Sequence, residues 1–425
     1  MVAFKKEGAV SISSILVPIP PSFTDRKHLY NLHNRSDYKQ LIKINIKMPI
    51  RQRASEKETV HSSSTKTTNE KTREKEFLNS LTPLDPKRKA LIQNHIAKYN
   101  TADDAMAYKI LALHTFLWMC LYPLYNYIYA PLFILIKGAM VVRSFILFHD
   151  MTHGSYFTTT KQNKFYGEFC ALMCLTPFAD WGKNHKGHHD MFGDLSIEKF
   201  DGGNTTWFTK QWVDAWPFWK RWGFYLIRDP ILVYFWLVPL QWGLAFHFRS
   251  GGLTTSLAFF GTLYAHYSVY GYIGMIHEIL SLCLGAGFGI YLFHLQHSVN
   301  PAYRVHLHVN HDKVLGGLYG STFLVLHPFI KFFTLGIEYH HIHHVSTRVP
   351  CYKIQACHEE APPGLFSGVV HVDTFEKYVV SSFHTLWDDE TQSLVTFPWY
   401  QKMLSLCGFN EPKMWGRQHM TTTKE

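Results

Sequence analysis

Eight histidines stand in three short clusters: HDMTH with His149 and His153, HKGHH with His185, His188 and His189, and HHIHH with His340, His343 and His344. On a helix, residues four apart share one face, so His149 and His153 can direct two imidazoles at one metal ion. The second and third clusters both read His-x-x-His-His. That pattern offers an i, i+3 pair on one side of a helix and a neighbour turned by about 100°, which can serve a second metal nearby. A zinc hydrolase needs about three protein ligands and an open position, whereas eight imidazoles suit two metals. Imidazole without thiolate fits zinc, iron, copper or nickel, and eight to ten histidines at a membrane surface point to two redox irons.

Further donors lie nearby. FHLQHS places His294 and His297 at an i, i+3 spacing where an apolar run ends, and His306, His308 and His311 follow in a loop. His294 and His297 are candidate ligands. Asp150, inside the first cluster, can orient an imidazole by accepting its other N–H, or ligate the metal itself. Asp190, Asp194 and Glu338 offer the same two options.

The elements that must position these groups are apolar. Apolar residues gather between positions 110 and 293, which argues for a membrane domain with polar flanks. Five windows approach the roughly 20 apolar residues needed to cross a bilayer: 110–129, 131–148, 231–248, 254–272 and 274–293. Lys137 and Arg143 interrupt the second and must tilt out, snorkel or pair. Trp118, Tyr127, Tyr129, Trp236 and Trp242 sit near window ends, as in an interfacial belt. From a cytosolic N-terminus, two crossings return the chain at His149. The stretch 169–178 reaches only about 15 Å, too short to cross, so the second cluster stays beside the first. Three windows lie between His189 and His294, yet only an even number of crossings brings the chain back. One of them is therefore half-inserted or part of a longer kinked helix. The stretch 318–335 holds His327, Pro328 and Lys331 and reads as an interfacial or cap helix.

The flanks are polar. The formal net charge is +10, and residues 1–53 carry ten Lys/Arg against three Asp/Glu. No phosphate loop or recognition helix accompanies that charge, so nucleic acid is not the expected partner. A cytosolic tail beside anionic lipid fits it, as does an organelle transit peptide. Residues 55–76 are almost wholly polar, so 1–80 reads as a disordered basic and polar tail. The folded part then begins near Leu81, with an amphipathic helix over 88–99 lying on the membrane surface. Seven cysteines form no Cys-x-x-Cys pair, which indicates neither a disulfide framework nor a thiolate metal site. The chain has no haem-binding, flavin, nicotinamide or iron–sulfur motif. Beyond the metal ligands, neither a further catalytic residue nor an organic cofactor site is expected.

Taken with their surroundings, FHDMTHGSYF, WGKNHKGHH and GIEYHHIHHVSTRVPCYKIQACHEEAP resemble the three histidine boxes of the membrane-bound fatty acid desaturases. FHLQH, and the run His-His-Ile-His-His-x-Ser-x-Arg-x-Pro-x-Tyr followed by Cys-His-Glu-Glu, are similar to the acyl-lipid branch that includes the Δ12 (omega-6) and omega-3 enzymes. The similarity covers roughly residues 105–362. It implies an all-α integral membrane fold of about four transmembrane helices, with a cytosolic helical cap holding a di-iron site. The desaturase domain would then run over 81–362, with a cytosolic C-terminal segment at 363–425. Through its boxes the resemblance makes His149, His153, His185, His188, His189, His340, His343 and His344 ligands, and His297 matches the histidine placed between boxes two and three. His341 is the extra histidine of this branch and stays outside the ligand set. The loop 299–317 lacks the branch's usual acidic Trp-Glu-His-Asp stretch, so substrate and bond position are not given.

The implied reaction is O₂-dependent insertion of a C=C bond into the acyl chain of a lipid or acyl-CoA. No side-chain acid or base breaks an unactivated C–H bond, so metal and O₂ must carry that chemistry. Choosing among identical methylenes then falls to the shape of an apolar channel. Two electrons per turnover must come from a separate carrier, cytochrome b5 or ferredoxin. The expected setting is the endoplasmic reticulum membrane with a cytosolic N-terminus, or alternatively a plastid or other organelle membrane. Related di-iron enzymes that hydroxylate, epoxidise or form acetylenes, and carotenoid or sterol oxygenases, have similar boxes, and spacing does not separate them. A histidine-rich metal transporter is the reading from another class, and it expects ionisable residues inside the spans.

Overall fold

Three long helices frame the structure, a computed structural model that describes residues 84–193, 195, 208–234, 253–304 and 312–409. Following a short first helix, α1 (Pro86–Ala97), they are α2 (Asp104–Leu124), α3 (Ala130–Thr152) and α8 (Leu253–Leu295). Each is long and apolar enough to cross a membrane. Asp103 caps α2 by accepting from the Met106 amide at 3.1 Å. Pro131 opens the first turn of α3, where its missing N–H costs nothing. α3 is the central helix. Lys137, Gly138, Met140, Val141, Arg143 and Leu147 are all buried, whereas α2 leaves Leu113, Phe116 and Met119 exposed on its outer side.

α3 and α8 approach closely because both carry glycine at the contact. A Cβ on Gly285 would lie 2.8 Å from the Gly138 carbonyl oxygen, and one on Gly138 would lie 3.2 Å from that of Ser281. Helix association in lipid depends on this kind of small-residue packing.

The windows 254–272 and 274–293 are two arms of α8, broken at Gly271, whose φ of 68° is left-handed. A straight helix would hold His266 and Glu278 about 18 Å apart along its axis. Instead His266 Nε2 lies 3.3 Å from Glu278 Oε2, so the arms fold towards each other. Lys137 Nζ completes the group at 3.6 Å from the same oxygen and sits over the Trp118 ring at 3.9 Å. Pairing is thus how Lys137 is accommodated, and Arg143 donates to the Phe332 carbonyl. Window 231–248 lies outside the described residues beyond Tyr234.

α4 (Thr160–Met173) packs back along α3, and α5 (Phe178–Met191) follows it. Two shorter helices come next, α6 (Lys210–Asp214) and α7 (Phe218–Ile227). Beyond α8 the chain builds α9 (Lys313–Gly320), β1 (Thr322–Leu324), α10 (Pro328–Thr334), α11 (His340–Val345) and α12 (Cys351–Glu359). The single helix expected over 318–335 is therefore three elements, because a strand intervenes and Pro328 can start a helix but not continue one. The last elements are β2 (Val370–Val372), α13 (Phe375–Ser382), β3 (His384–Asp388), β4 (Ser393–Thr396) and α14 (Pro398–Leu406).

The fold is mostly helical but not all-α. β1 pairs in parallel with β2, Thr322 opposite Val370, and β3 pairs antiparallel with β4. Strands of three to five residues are too short to leave a period in the sequence. The segment after residue 362 belongs to the same compact unit as the helices before it.

α1 does not lie free on a surface as expected for 88–99. Its Ile92 and Ile96 are buried with Leu315, Leu318 and Ile354. Arg88 donates to the Ser367 carbonyl at 2.6 Å, and Lys89 pairs with Asp312 at 2.6 Å.

Candidate metal centre

Four elements deliver imidazoles to one place: the C-terminal end of α3 with His149 and His153, α5 with His185, His188 and His189, the segment just past α8 with His297, and α11 with His340, His343 and His344. Their nitrogens form two groups, each with its donor atoms within 4.8 Å of one another. The first holds His149, His153, His185, His189 and His343, and the second holds His188, His297, His340 and His344.

This division corrects the expected i, i+3 pairing. In α5 it is His185 and His189, four apart, that share a group while His188 turns to the other. In α11 His340 and His344 stay together and His343 crosses over. Helix geometry explains the choice, since i+4 is rotated by only about 40° from i, against about 60° the other way for i+3. The two boxes are used reciprocally: each gives two nitrogens to one group and one to the other.

The contacts are nitrogen to nitrogen. His185 Nε2 is 2.8 Å from His149 Nε2 and 3.0 Å from His189 Nε2, which is itself 3.0 Å from His343 Nε2. In the second group His340 Nε2 is 3.0 Å from His297 Nε2, and His188 Nε2 is 3.2 Å from His344 Nε2. A neutral imidazole has one proton and one acceptor lone pair, so this chain of contacts cannot be satisfied by hydrogen bonds alone. The Nδ1 atoms of His149, His188, His189, His297, His340 and His343 are also buried and unpartnered among the described residues. Two nitrogens at about 2.1 Å from one ion, at a right angle, would be about 3.0 Å apart. The donor chemistry and spacing therefore fit metal ions.

Burial keeps these rings neutral. His185, His189, His297, His340, His343 and His344 are held well below the usual histidine range, chiefly by desolvation and then by neighbouring imidazoles. His153 and His188 are pushed down to about 3, by burial first and then by Lys313 and Arg304 respectively. Neutral imidazole is the form that binds metal.

Aromatic residues fix the ring planes. Trp181 stacks on His185 with centroids 4.3 Å apart, and Phe145 lies parallel to His149 at 6.3 Å. Phe192 stands 4.4 Å from His297 and 4.6 Å from His344. Arg304 had no distinguishing signal in the sequence. It is buried with its guanidinium 4.9 Å from the Phe192 ring centroid and donates to the His297 carbonyl at 2.6 Å, which fixes that peptide.

Other expected residues fall elsewhere. His294 is in neither group: its Nε2 is 2.8 Å from the Ser381 carbonyl and its Nδ1 is 3.2 Å from Ser298 Oγ. Its i, i+3 relation to His297 would hold only if α8 continued, but that helix ends at Leu295. Asp150 touches no imidazole through its carboxylate; Oδ2 accepts from the Cys351 amide. Asp190 pairs with Lys186 on the surface, and Glu338 accepts from Thr334 Oγ1. Asp194, His306, His308 and His311 lie outside the described residues.

Residues 102–373 match the family model described as fatty acid desaturase. A fatty acid desaturase of Bacillus subtilis is 26% identical over 272 residues, covering 62% of this chain and 76% of that protein. The omega-3 fatty acid desaturase fat-1 of Caenorhabditis elegans is 36% identical over 78 residues, 18% of each chain. A chloroplastic sn-2 acyl-lipid omega-3 desaturase (ferredoxin) of Arabidopsis thaliana is 36% identical over 74 residues, 17% of each chain.

Proposed function

The chain belongs to the fatty acid desaturase family, and from that premise we propose that it introduces a double bond into the acyl chain of a membrane lipid or acyl-CoA, using two histidine-held irons. His149, His153, His185, His189 and His343 hold one ion in this reading, and His188, His297, His340 and His344 the other. The observation that carries it is the convergence of nine imidazoles into two groups at the ends of apolar helices. Bound there, two irons with O₂ would supply the oxidant that takes two hydrogens from adjacent methylenes and releases water.

The protein's own contribution is position. Burial keeps the imidazoles in the ligating state, Trp181, Phe145 and Phe192 restrict their rotation, and water is kept from the second group, all four of whose rings are buried. The acyl chain reaches the centre from the apolar side, where α3 and α8 rise from the membrane.

A four-crossing topology is supported by the arms of α8, which fold towards each other at Gly271 and, with α2 and α3, give an even number of spans. All nine clustered histidines then lie on one side, which we take as cytosolic. Omega-3 action is supported by the names of the relatives that match over short stretches, and Δ12 (omega-6) action by the resemblance of the third histidine box alone. A relative named with ferredoxin supports ferredoxin as the external electron carrier; cytochrome b5 is the alternative carrier. The endoplasmic reticulum is the proposed membrane, a setting named for a Vigna radiata omega-3 relative.

Expression in a yeast whose lipids are only monounsaturated tests this reading. A new diene identified by mass spectrometry, lost in His343→Ala, is the expected result. A hydroxy acid in its place would replace desaturation by hydroxylation, and no new product from a verified, metal-loaded protein, either on the monounsaturated lipids or with a diene fatty acid supplied in the medium, would sink the assignment.

A further inference from the structure

Three more histidines lie together outside both nitrogen groups. His341 is fully buried on α11, with Nε2 3.1 Å from His358 Nδ1 on α12. The half-buried His358 ring stacks on Phe366 at 5.6 Å and lies 5.0 Å from Phe323. Phe323 in turn lies 5.2 Å from the ring of His371, which is exposed on β2. An unbroken series of rings thus runs from the surface at His371 through Phe323 and His358 to His341. From there a single peptide link leads to His340 in the second nitrogen group.

We propose that this series is the path by which electrons reach the metal centre, and that the surface around His371 and His358 docks a one-electron carrier protein with an iron–sulfur group, the carrier type named for the Arabidopsis thaliana relative. The proposal rests on the desaturase reading, which requires electrons from outside the chain.

Electron tunnelling weakens steeply across empty gaps and much less through bonds and packed rings. The nine clustered histidines are shielded from a bulky carrier, since eight of them are buried and only His153 is partly exposed. His358 and His371 bring conjugated rings out to where a cofactor edge can approach. Burying an imidazole at position 341 carries a desolvation cost that an apolar residue of similar size would avoid. A hydrogen-bonded link between α11 and α12 gives that imidazole a use. In each encounter the reduced carrier loses one electron and the metal centre gains one, so two encounters supply a turnover, and no atom or proton moves at the rings.

The test uses the full-length, iron-loaded protein in lipid nanodiscs. Oxidation of a reduced carrier is followed by stopped-flow absorbance, with a haem carrier of the cytochrome b5 type in one arm and a ferredoxin in the other. His358→Leu is expected to slow carrier oxidation about tenfold, while iron content and reduction by dithionite remain as in the wild type. His371→Ala is expected to weaken carrier binding to the metal-free protein, measured by thermophoresis. Unchanged rates and binding in both variants overturn the path. Loss of iron from His358→Leu overturns it too, in favour of a structural role. A slowed reaction in Lys313→Glu alone would move the docking surface to His153. If wild-type protein accepts electrons from dithionite but not from the ferredoxin, whether or not it accepts them from the haem carrier, the partner assignment fails. If it holds no iron, the desaturase reading fails instead.

Discussion

Asp150 and Cys351 are 201 residues apart in sequence, and the Asp150 carboxylate accepts the Cys351 amide proton at 2.9 Å. That bond fastens the helix end carrying His149 and His153 to the start of α12, just beyond the helix carrying His340, His343 and His344. Asp150→Ala would leave a buried amide without an acceptor, at a cost of about 1–3 kcal/mol. The thermal midpoint and iron retention of the purified protein should both fall, with Asp150→Asn milder. Wild-type values in Asp150→Ala would show that the bond carries no weight.

Wild-type protein should hold about two metal ions per chain, one for each nitrogen group. His297→Ala removes one of four donors from the second group and should reduce the content towards one, as read by inductively coupled plasma mass spectrometry. His294→Ala should keep the full complement, because both its ring nitrogens are engaged away from the centre.

The metal-free protein should lose the stability that its neutral buried histidines contribute as the pH is lowered. His153 and His188 are pushed down to about 3 in the folded chain, against 6.5 for an ordinary histidine. Between those values the unfolded chain binds protons that the folded one does not, so stability falls as pH drops. The contribution is fully present above about pH 6.5 and disappears as pH approaches 3. Thermal melts of chelator-stripped protein at pH 7.5 and pH 5 should show the lower midpoint at pH 5; equal midpoints would contradict neutral burial of these rings.

Glu278 is the shared partner of Lys137 and His266 within the apolar helices. Glu278→Leu would strand Lys137, and removing one member of a buried pair costs about 3–5 kcal/mol. The folded yield on fluorescence-detected size exclusion should collapse in the single variant and recover in part when Lys137→Met is added. Equal yields for the single and double variants would mean that the pair is not coupled.

Much of the centre was legible in the sequence because His-x-x-His-His spacing is a local property of a helix. The sequence also shows that adjacent histidines diverge by about 100°, so a box can feed two ions. It does not show which member crosses over, since that depends on how α5 and α11 face each other in the folded chain. His297 could be read because it follows a long apolar run, but the same logic misplaced His294, one turn earlier on α8. Lys137 announced a polar group inside the membrane region without naming Glu278 and His266, which come from arms that meet only because Gly271 bends the chain. Arg304, Trp181 and Phe192 act through packing, and packing leaves no spacing to read.

The separation of the ligand-bearing segments also bears on biosynthesis. His188 and His344 lie 156 residues apart, and His189 and His343 lie 154 apart, yet their nitrogens are neighbours. The ribosome therefore delivers the first five imidazoles well before the three on α11. Until α11 emerges, the first nitrogen group has four of its five donors and the second two of its four. Completion of both groups is thus a late event in the life of the molecule, and a polypeptide stopped before His340 would lack one donor of the first group and half of the second.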